Sequence, residues 1–175
     1  MPLALYTFGM FLRPAADPAN DGFHALNDPV LDAVDKAEGM IARSGYASDG
    51  EGRTWGPEVY PRFHRDNGDG WAPATLSLWR DLESVAAFTY TGLHATALRR
   101  GREWFQKPAW PPLVLWWHMD EAPPTWAEGV RRHEHLHDHG PTPDAFTFRQ
   151  AFTAGGAPLT LDSIRLRVIK DKAQQ

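Results

Sequence analysis

Apolar and polar residues alternate with two different periods along the chain. Mixed apolar and β-prone runs predict strands at residues 3–9, 40–46, 74–79 and 111–118. Apolar positions at helical spacing between Asn20 and Gly39 predict a helix, with Pro29 as a kink or a second start. A second helical region over 82–105 is broken at Gly92. The order strand, helix, strand, strand, helix, strand is the split βαβ order of a ferredoxin-like fold, an α+β class.

The rest of the chain predicts additions to this arrangement. A helix runs from about Pro124 to Gly140, and the alternating segment AFTFRQAF, residues 145–152, predicts one more strand. We therefore predict a ferredoxin-like domain over residues 1–153 that carries an extra C-terminal helix and strand. Residues 154–175 are predicted to be a separate tail that adds an edge strand or is partly disordered.

One long connection, residues 47–73, interrupts the predicted domain and is rich in Gly, Pro, Asp and Asn. A connection of this length inside a compact domain is usually a functional lid or a disordered excursion, so we expect part of it to cover a pocket. Several aromatic side chains of the loop, together with an arginine and a histidine, could close over a flat hydrophobic ligand, or they could simply anchor the loop. The residues concerned are Trp55, Tyr60, Arg62, Phe63, His64 and Trp71.

Composition and charge narrow the possible partners. A chain of 175 residues with 42% hydrophobic residues suits one core. Its net charge of −4, without a block of basic residues, makes nucleic acid an unexpected partner. The absence of cysteine excludes disulfides and thiolate chemistry and suits a reducing compartment. The N-terminal apolar run is too short for a signal peptide or a membrane span, so we expect a cytoplasmic protein without a membrane partner.

Half of the eight histidines lie in RRHEHLHDHG, residues 131–140, which contains an H-E-x-x-H string. On a helix, His133 and His137 would share a face and could hold zinc while Glu134 activates water. The third ligand of the extended hydrolase pattern, however, falls on Pro143, which cannot bind a metal. We therefore favour no metal site here, and predict solvated histidines that interact with the C-terminal end of a helix.

A second constellation of candidate residues lies in YTGLHATALRRGREWF, residues 90–105. A lone histidine beside aromatic residues, as His94 is, suits a general base, a proton donor or an axial haem ligand, or else a hydrogen-bonded structural residue. Arg99 and Arg100 could hold a carboxylate or an enolate oxygen in a two-pronged contact. They could equally pair with surface carboxylates.

Several segments carry a family resemblance, in the order TLSLWRDLESVAAFTYTGLHATALRRGREWF, LVLWWH, PTWAEG and HGPTPDAFTF. Over about residues 3–153 the chain resembles a bacterial family catalogued as a domain of unknown function, numbered 3291. That family is placed with the dimeric ferredoxin-like α/β barrels, a superfamily that includes small monooxygenases, haem-degrading and haem-containing enzymes, and stress-related proteins. The resemblance implies the architecture more directly than the reaction, since one fold hosts unrelated chemistries.

The resemblance implies a small-molecule enzyme similar to the cofactor-independent or haem-dependent monooxygenases, acting on a hydrophobic or aromatic metabolite. In this hypothesis His94 points into an enclosed apolar chamber, where it handles a proton or binds haem iron. Arg99 or Arg100 would steady a developing oxyanion. The alternatives are a non-catalytic small-molecule binder and a zinc hydrolase that uses the H-E-x-x-H string of residues 133–137.

The resemblance also implies a homodimer, because the sheet face opposite the helices would pair with a second subunit rather than remain exposed. Neighbouring residues of a strand point to opposite sides, so the rings of Trp116 and Trp117 are expected on different faces of the sheet. The aromatic residues expected to line the substrate pocket are Trp55, Tyr60, Phe63, Tyr90, Trp104, Trp116 and Trp117.

Overall fold

A four-stranded antiparallel sheet forms the centre of the computed structural model, which describes residues 1–50 and 52–173. Its strands are β1 (Leu3–Phe8), β2 (Met40–Arg43), β3 (Ala74–Trp79) and β4 (Leu113–Trp117). They lie in the order β2-β3-β1-β4, so β1 and β3 are central. The four strands lie where the apolar runs predict them. This α+β arrangement is compatible with a ferredoxin-like fold.

Five α-helices surround the sheet in the described part of the chain. They are α1 (Asp21–Asp35), α2 (Leu82–Thr89), α3 (Gly92–Arg100), α4 (Trp126–His139) and α5 (Ser163–Lys172). Asp81 and Thr125 cap α2 and α4 by accepting hydrogen bonds from backbone N–H groups. Gly140 ends α4 with a φ of +74°, a conformation that side chains disfavour. None of these helices combines the length and the apolar character that a membrane crossing requires.

The two faces of the sheet bury separate apolar cores because successive residues of a strand point to opposite sides. On one face, Leu3 and Leu5 pack with apolar residues of α1 and α2. On the other face, Tyr6 and Phe8 pack with Trp126 of α4 and with rings of the long loop. The chain therefore covers both sides of its own sheet.

This coverage corrects the expectation that one sheet face is open. Tyr6, Trp116 and Trp126, on the face expected to meet a second subunit, are each 0% exposed in the single chain. The extra helix and the long connection supply the apolar cover that the homodimer prediction assigned to a partner. Burial of this face consequently gives no argument for a dimer.

The predicted strand over residues 145–152 is wrong for most of its length. Phe146 makes one isolated antiparallel bridge with Leu115, and a turn follows in which Thr147 pairs with Gln150. Only Ala151–Phe152 forms a strand, β5, which pairs with β6 (Pro158–Leu159). The alternation of apolar residues has a different cause, because Phe146 and Ala151 reach the apolar core on either side of the turn.

The last described segment is a helix rather than the edge strand that was one of its predicted forms. The Asp162 carboxylate accepts hydrogen bonds from the N–H groups of Ile164 and Arg165 and so starts α5. The Asp162 N–H donates to Glu83 Oε1 at 2.9 Å, which joins the start of α5 to α2. Ile169 of α5 is 4% exposed, so this helix belongs to the packed structure.

Candidate functional site

A cleft opens between the long loop and the segment that precedes β4. Its volume is about 430 Å³, and it is open to solvent rather than enclosed. We name it the Arg65 cleft. The residues that line it are Met10, Arg62, Phe63, Arg65, Gln106, Ala109 and Trp110.

Two stacked rings contribute an aromatic wall to the Arg65 cleft. The Phe63 and Trp110 ring centres lie 5.5 Å apart, and their planes are within 7° of parallel. Trp110 is supported from behind by Phe8 of β1, with ring centres 5.6 Å apart. Gln106 fixes the start of this segment, since its backbone N–H donates to the Met10 carbonyl at 2.8 Å. The wall therefore rests on the sheet rather than on mobile side chains.

Arg62 is held at the edge of the cleft by α4. Its backbone N–H donates to Glu134 Oε1 at 2.7 Å, and its guanidinium Nη1 donates to Asp138 Oδ2 at 3.0 Å. The same guanidinium lies 5.0 Å from the centre of the Phe63 ring. Hydrogen bonding from Arg62 lowers the pKa of the Asp138 carboxyl. The charge of Arg62 is thus already balanced within the protein.

Arg65 differs from Arg62 in having no such partner. Its side chain is exposed, and no ion pair joins it to another residue in the described part of the chain. Arg65 also borders a smaller recess of about 10 Å³, lined in addition by His64 and Trp71. Met10 lines both the Arg65 cleft and this recess. A cation available for a ligand therefore lies between an aromatic wall and an imidazole-lined recess.

The loop residues that the sequence singles out divide between this site and the core. Phe63 and Arg62 line the cleft, and His64 and Trp71 line the recess. The remaining two, Trp55 and Tyr60, pack against the apolar core between the sheet and α4. The Tyr60 hydroxyl donates to Glu58 at 3.0 Å, and burial raises the Tyr60 pKa to about 12.

The other predicted pocket aromatics lie outside the cleft lining. Trp116 and Trp117 occupy opposite faces of the sheet, as predicted; Trp116 is fully buried, and Trp117 donates to the Phe152 carbonyl at 2.7 Å. Trp104 is buried in a small apolar cluster beside α1. Tyr90 is half exposed.

His94 is packed into a helix junction. Its Nδ1 lies 2.9 Å from the Thr89 carbonyl oxygen, and its ring centre is 4.9 Å from that of Phe88. Burial lowers the His94 pKa, which favours the neutral imidazole. Neither the Arg65 cleft nor its recess reaches His94. The structure therefore places His94 as a hydrogen-bonded residue of the helix junction, outside the lining of either of these hollows.

The two candidate arginines of α3 also lie away from the cleft. Arg99 donates to the Thr96 hydroxyl at 2.9 Å on the exposed surface. Arg100 pairs with Glu103 at 2.9 Å and lies 4.7 Å from the ring centre of Trp104. The contacts of Arg100 are those of a surface ion pair combined with a cation–π contact.

The H-E-x-x-H string does not assemble a metal centre. His133 is fully buried, which corrects the prediction that it faces water, and its Nε2 lies 2.6 Å from the Pro111 carbonyl oxygen. Glu134 is engaged by Arg62, and the exposed His137 packs against Phe63 with ring centres 4.6 Å apart. Over residues 1–50 and 52–173, no group of three or more His, Cys, Asp or Glu side chains is placed to hold a metal ion.

Several cleft residues escape detection by sequence alone, namely Met10, Arg65, Gln106 and Trp110. They come from three separate segments and belong to no motif. The available signal is weak: Trp110 sits between prolines in KPAWPP, a setting typical of a rigid exposed ring, and Arg65 follows the loop aromatics.

Five buried side-chain polar atoms have no hydrogen-bond partner among the described residues. They are Tyr6 Oη, Trp110 Nε1, Trp116 Nε1, Arg132 Nε and His133 Nδ1. Burial raises the Tyr6 pKa far above its usual range and lowers that of His133. Both groups are therefore neutral and positioned by packing, not by charge.

Comparison with known proteins bears on the family alone. The model of the family described as "Domain of unknown function (DUF3291)" matches residues 2–161. The chain belongs to the DUF3291 family. No curated protein and no solved structure matches it. The DUF3291 match spans the sheet, α1 to α4 and the β5-β6 hairpin, and ends just before α5.

Proposed function

We propose that this DUF3291 protein binds a flat aromatic anion in the Arg65 cleft. One observation carries the proposal: Arg65, which forms no ion pair with another described residue, lines the same cleft as the stacked rings of Phe63 and Trp110. Planar ligands stack favourably on such rings, and guanidinium groups recognise carboxylates and phenolates through two parallel hydrogen bonds. The proposal is the binding function that the sequence leaves as an alternative to an enzyme.

The charges around the cleft favour Arg65 as the recognition group. Arg62 is balanced by Asp138 and Glu134, so a ligand anion gains less from it. No carboxylate forms an ion pair with Arg65 in the described part of the chain. The Gln106 Nε2 donates to the Phe11 carbonyl at 2.9 Å, which leaves its amide oxygen as an acceptor at the same site. An anion with a nearby hydroxyl or N–H group fits this set of partners.

Titration with 2-naphthoate and 2-naphthylmethanol, followed by tryptophan fluorescence, tests the proposal. We expect the carboxylate to bind more tightly than the neutral alcohol, because only the carboxylate can pair with Arg65. Arg65→Gln should weaken naphthoate binding about tenfold, the value of one charge-assisted contact. Arg99→Gln is the matched control, since Arg99 is an exposed arginine outside the cleft. Equal losses in the two variants, or no difference between the two ligands, would contradict the assignment.

A monooxygenase-like reaction is a second candidate, and the position of His64 favours it. His64 lines the recess that adjoins Arg65, and its ring lies 4.7 Å from that of Tyr60. In such a reaction His64 would take the proton of a phenol or an enol, and Arg65 would hold the oxyanion that forms. Oxygen consumption with a dihydroxynaphthalene, abolished in His64→Gln but retained in His94→Gln, is the expected result. If no oxygen is consumed with any activated phenol, the reaction is contradicted and only the binding function stands.

The homodimeric architecture of the α/β-barrel superfamily is a further proposal. It is supported by an unpaired edge: β2 pairs only with β3 in the described part of the chain, and Ile41 on β2 is 55% exposed. Light scattering of the purified chain, compared with Ile41→Lys, tests it.

We also propose a cytoplasmic location, on the basis of the cysteine-free composition.

A further inference from the structure

The histidine-rich helix presents a pair of imidazoles different from the one in the H-E-x-x-H string. His135 and His139 stand one turn apart on α4, with ring centres 4.6 Å apart and planes inclined by 46°. His139 is exposed and His135 is half-buried, so both rings can be reached from solvent. The His133 ring, in contrast, is fully buried and its Nε2 is occupied by the Pro111 carbonyl.

We infer that His135 and His139 form a two-point binding site for a borderline divalent cation such as Cu²⁺, Ni²⁺ or Zn²⁺. Neutral imidazole is the side chain that these metals favour. Metal–imidazole bonds of roughly 2.0–2.1 Å, with the two rings at adjacent positions of one ion, place the ring centres about 4.5–5 Å apart. The ring centres of the pair already have this spacing.

Two neighbouring features support a cation at this place. The site lies in the last turn of α4, where the backbone carbonyl groups carry partial negative charge that stabilises cations. The Thr142 hydroxyl is hydrogen-bonded to His135 Nε2 at 3.2 Å; a cation bound at Nε2 would replace this hydrogen bond and keep the hydroxyl oxygen at the edge of the site. Since no third His, Cys, Asp or Glu joins the pair among the described residues, water would complete the coordination shell. The cation would therefore be exchangeable and exposed, unlike the closed site of a structural zinc.

The site explains the histidine spacing in a way that the hydrolase hypothesis does not. A helical repeat of four residues generates two overlapping pairs, 133 with 137 and 135 with 139. Packing buries the first member of one pair and leaves both members of the other accessible. The pair that can bind a metal is therefore 135 with 139, and not the 133 and 137 pair of the H-E-x-x-H string.

Copper titration of the untagged protein, by calorimetry and by electron paramagnetic resonance, tests the inference. Cu²⁺ chloride is the probe because Cu²⁺ binds nitrogen sites most tightly among these divalent ions. We expect one equivalent to bind with a spectrum of two coordinated imidazole nitrogens. His135→Gln and His139→Gln should each weaken binding at least tenfold, whereas His137→Gln should change it less than twofold.

The His137→Gln variant is a close match for the other two, because it removes one imidazole from the same exposed turn. Circular dichroism checks that each variant keeps its fold. An equal loss of affinity in all three variants would show a diffuse histidine effect and overturn the inference. Unchanged affinity in His135→Gln and His139→Gln would place copper elsewhere and also overturn it.

Discussion

The Nε2 atom of His133 lies 2.6 Å from the carbonyl oxygen of Pro111, and the imidazole ring is fully buried. This contact ties α4 to the proline-bounded segment that carries Trp110. The His133 ring makes T-shaped contacts with the rings of Tyr6 and Phe63, at 5.6 and 5.8 Å between ring centres. A histidine that the H-E-x-x-H string marks as a metal ligand thus supports the aromatic wall of the Arg65 cleft from behind.

Burial lowers the pKa of His133, and this makes stability depend on pH. The unfolded chain takes up a proton on this residue near pH 6.5, whereas the folded chain resists it. The stabilising contribution is therefore complete above about pH 6.5 and is lost as the pH falls through the lower folded pKa. Of the neighbouring side chains, Glu134 raises this pKa and His137 lowers it, so the two act in opposite directions.

Urea unfolding at about pH 7 and about pH 5.5 measures this effect. The wild-type free energy of unfolding should fall between the two pH values by up to about 1 kcal/mol from His133, since one proton gives about 1.4 kcal/mol per pH unit. His133→Gln should flatten this dependence, while the exposed His139→Gln should keep it. His94, whose pKa is lowered too, leaves a residual slope in both variants. The same slope in His133→Gln as in the wild type would contradict a buried neutral imidazole.

Gly129 allows α4 to approach β1 closely. A methyl group at position 129 would lie 2.9 Å from Tyr6 Cδ2, and the Tyr6 ring is itself 0% exposed. Alanine favours a helix interior by about 1 kcal/mol over glycine, but a steric clash in a packed core costs about 1–3 kcal/mol. We expect Gly129→Ala to lower the free energy of unfolding by about 1 kcal/mol, because the clash outweighs the helix preference.

Gly101→Ala provides the control for this prediction. At position 101 a methyl group meets only Phe105 Cδ2, at an ordinary 3.7 Å, and the backbone φ is −51°. Such a substitution is expected to be neutral or to stabilise by about 0.4–1 kcal/mol through the unfolded state. Thermal melts of the two variants should therefore shift in opposite directions, or Gly101→Ala should not shift at all. A stabilised Gly129→Ala protein would show that α4 is not seated on Tyr6 as described.

The sequence predicts the sheet well because each strand has its own local signal. The run LALYTF forms β1 at nearly the predicted bounds, and the predicted break at Gly92 separates α2, which ends at Thr89, from α3, which begins at Gly92. The cover of the second sheet face has no local signal, since it depends on Trp126 and the loop rings meeting Tyr6 across long stretches of chain. Apolar rings predict burial, but they do not tell which surface buries them.

The candidate site shows the same limit. Phe63, Arg62 and His64 attract attention as a cluster in one loop, and they do lie at the cleft and its recess. Their partner Trp110 comes from a segment 47 positions further along the chain than Phe63, so its stacking on Phe63 cannot be read from spacing. The prediction that His133 faces water is wrong for a related reason. Helical periodicity puts His133 and His137 on one face but does not say how steeply burial changes along that face.

Residues beyond the DUF3291 match should nevertheless contribute to stability. Ile169 of α5 is 4% exposed, whereas Ile164 of the same helix is 77% exposed. Truncating a buried isoleucine to alanine typically costs about 2–5 kcal/mol, and an exposed truncation less than about 0.5 kcal/mol. We expect Ile169→Ala to lower the urea midpoint clearly and Ile164→Ala to leave it nearly unchanged. Similar midpoints for the two variants would mean that α5 adds little to the folded core.

Substitutions at Arg62 and Arg65 should have separate effects, the first on stability and the second on ligand binding. Arg62 bridges the loop to Glu134 and Asp138 of α4, so Arg62→Met should lower the melting temperature of the free protein. Arg65 has no such partner in the described part of the chain, so Arg65→Met should melt like the wild type. Binding of 2-naphthoate should show the reverse order, with the larger loss of about tenfold in Arg65→Met. Differential scanning fluorimetry with and without naphthoate measures both quantities on the same samples. A ligand-induced rise in melting temperature that survives in Arg65→Met would move the recognition of the anion to Arg62 and make the loop bridge itself part of the binding site.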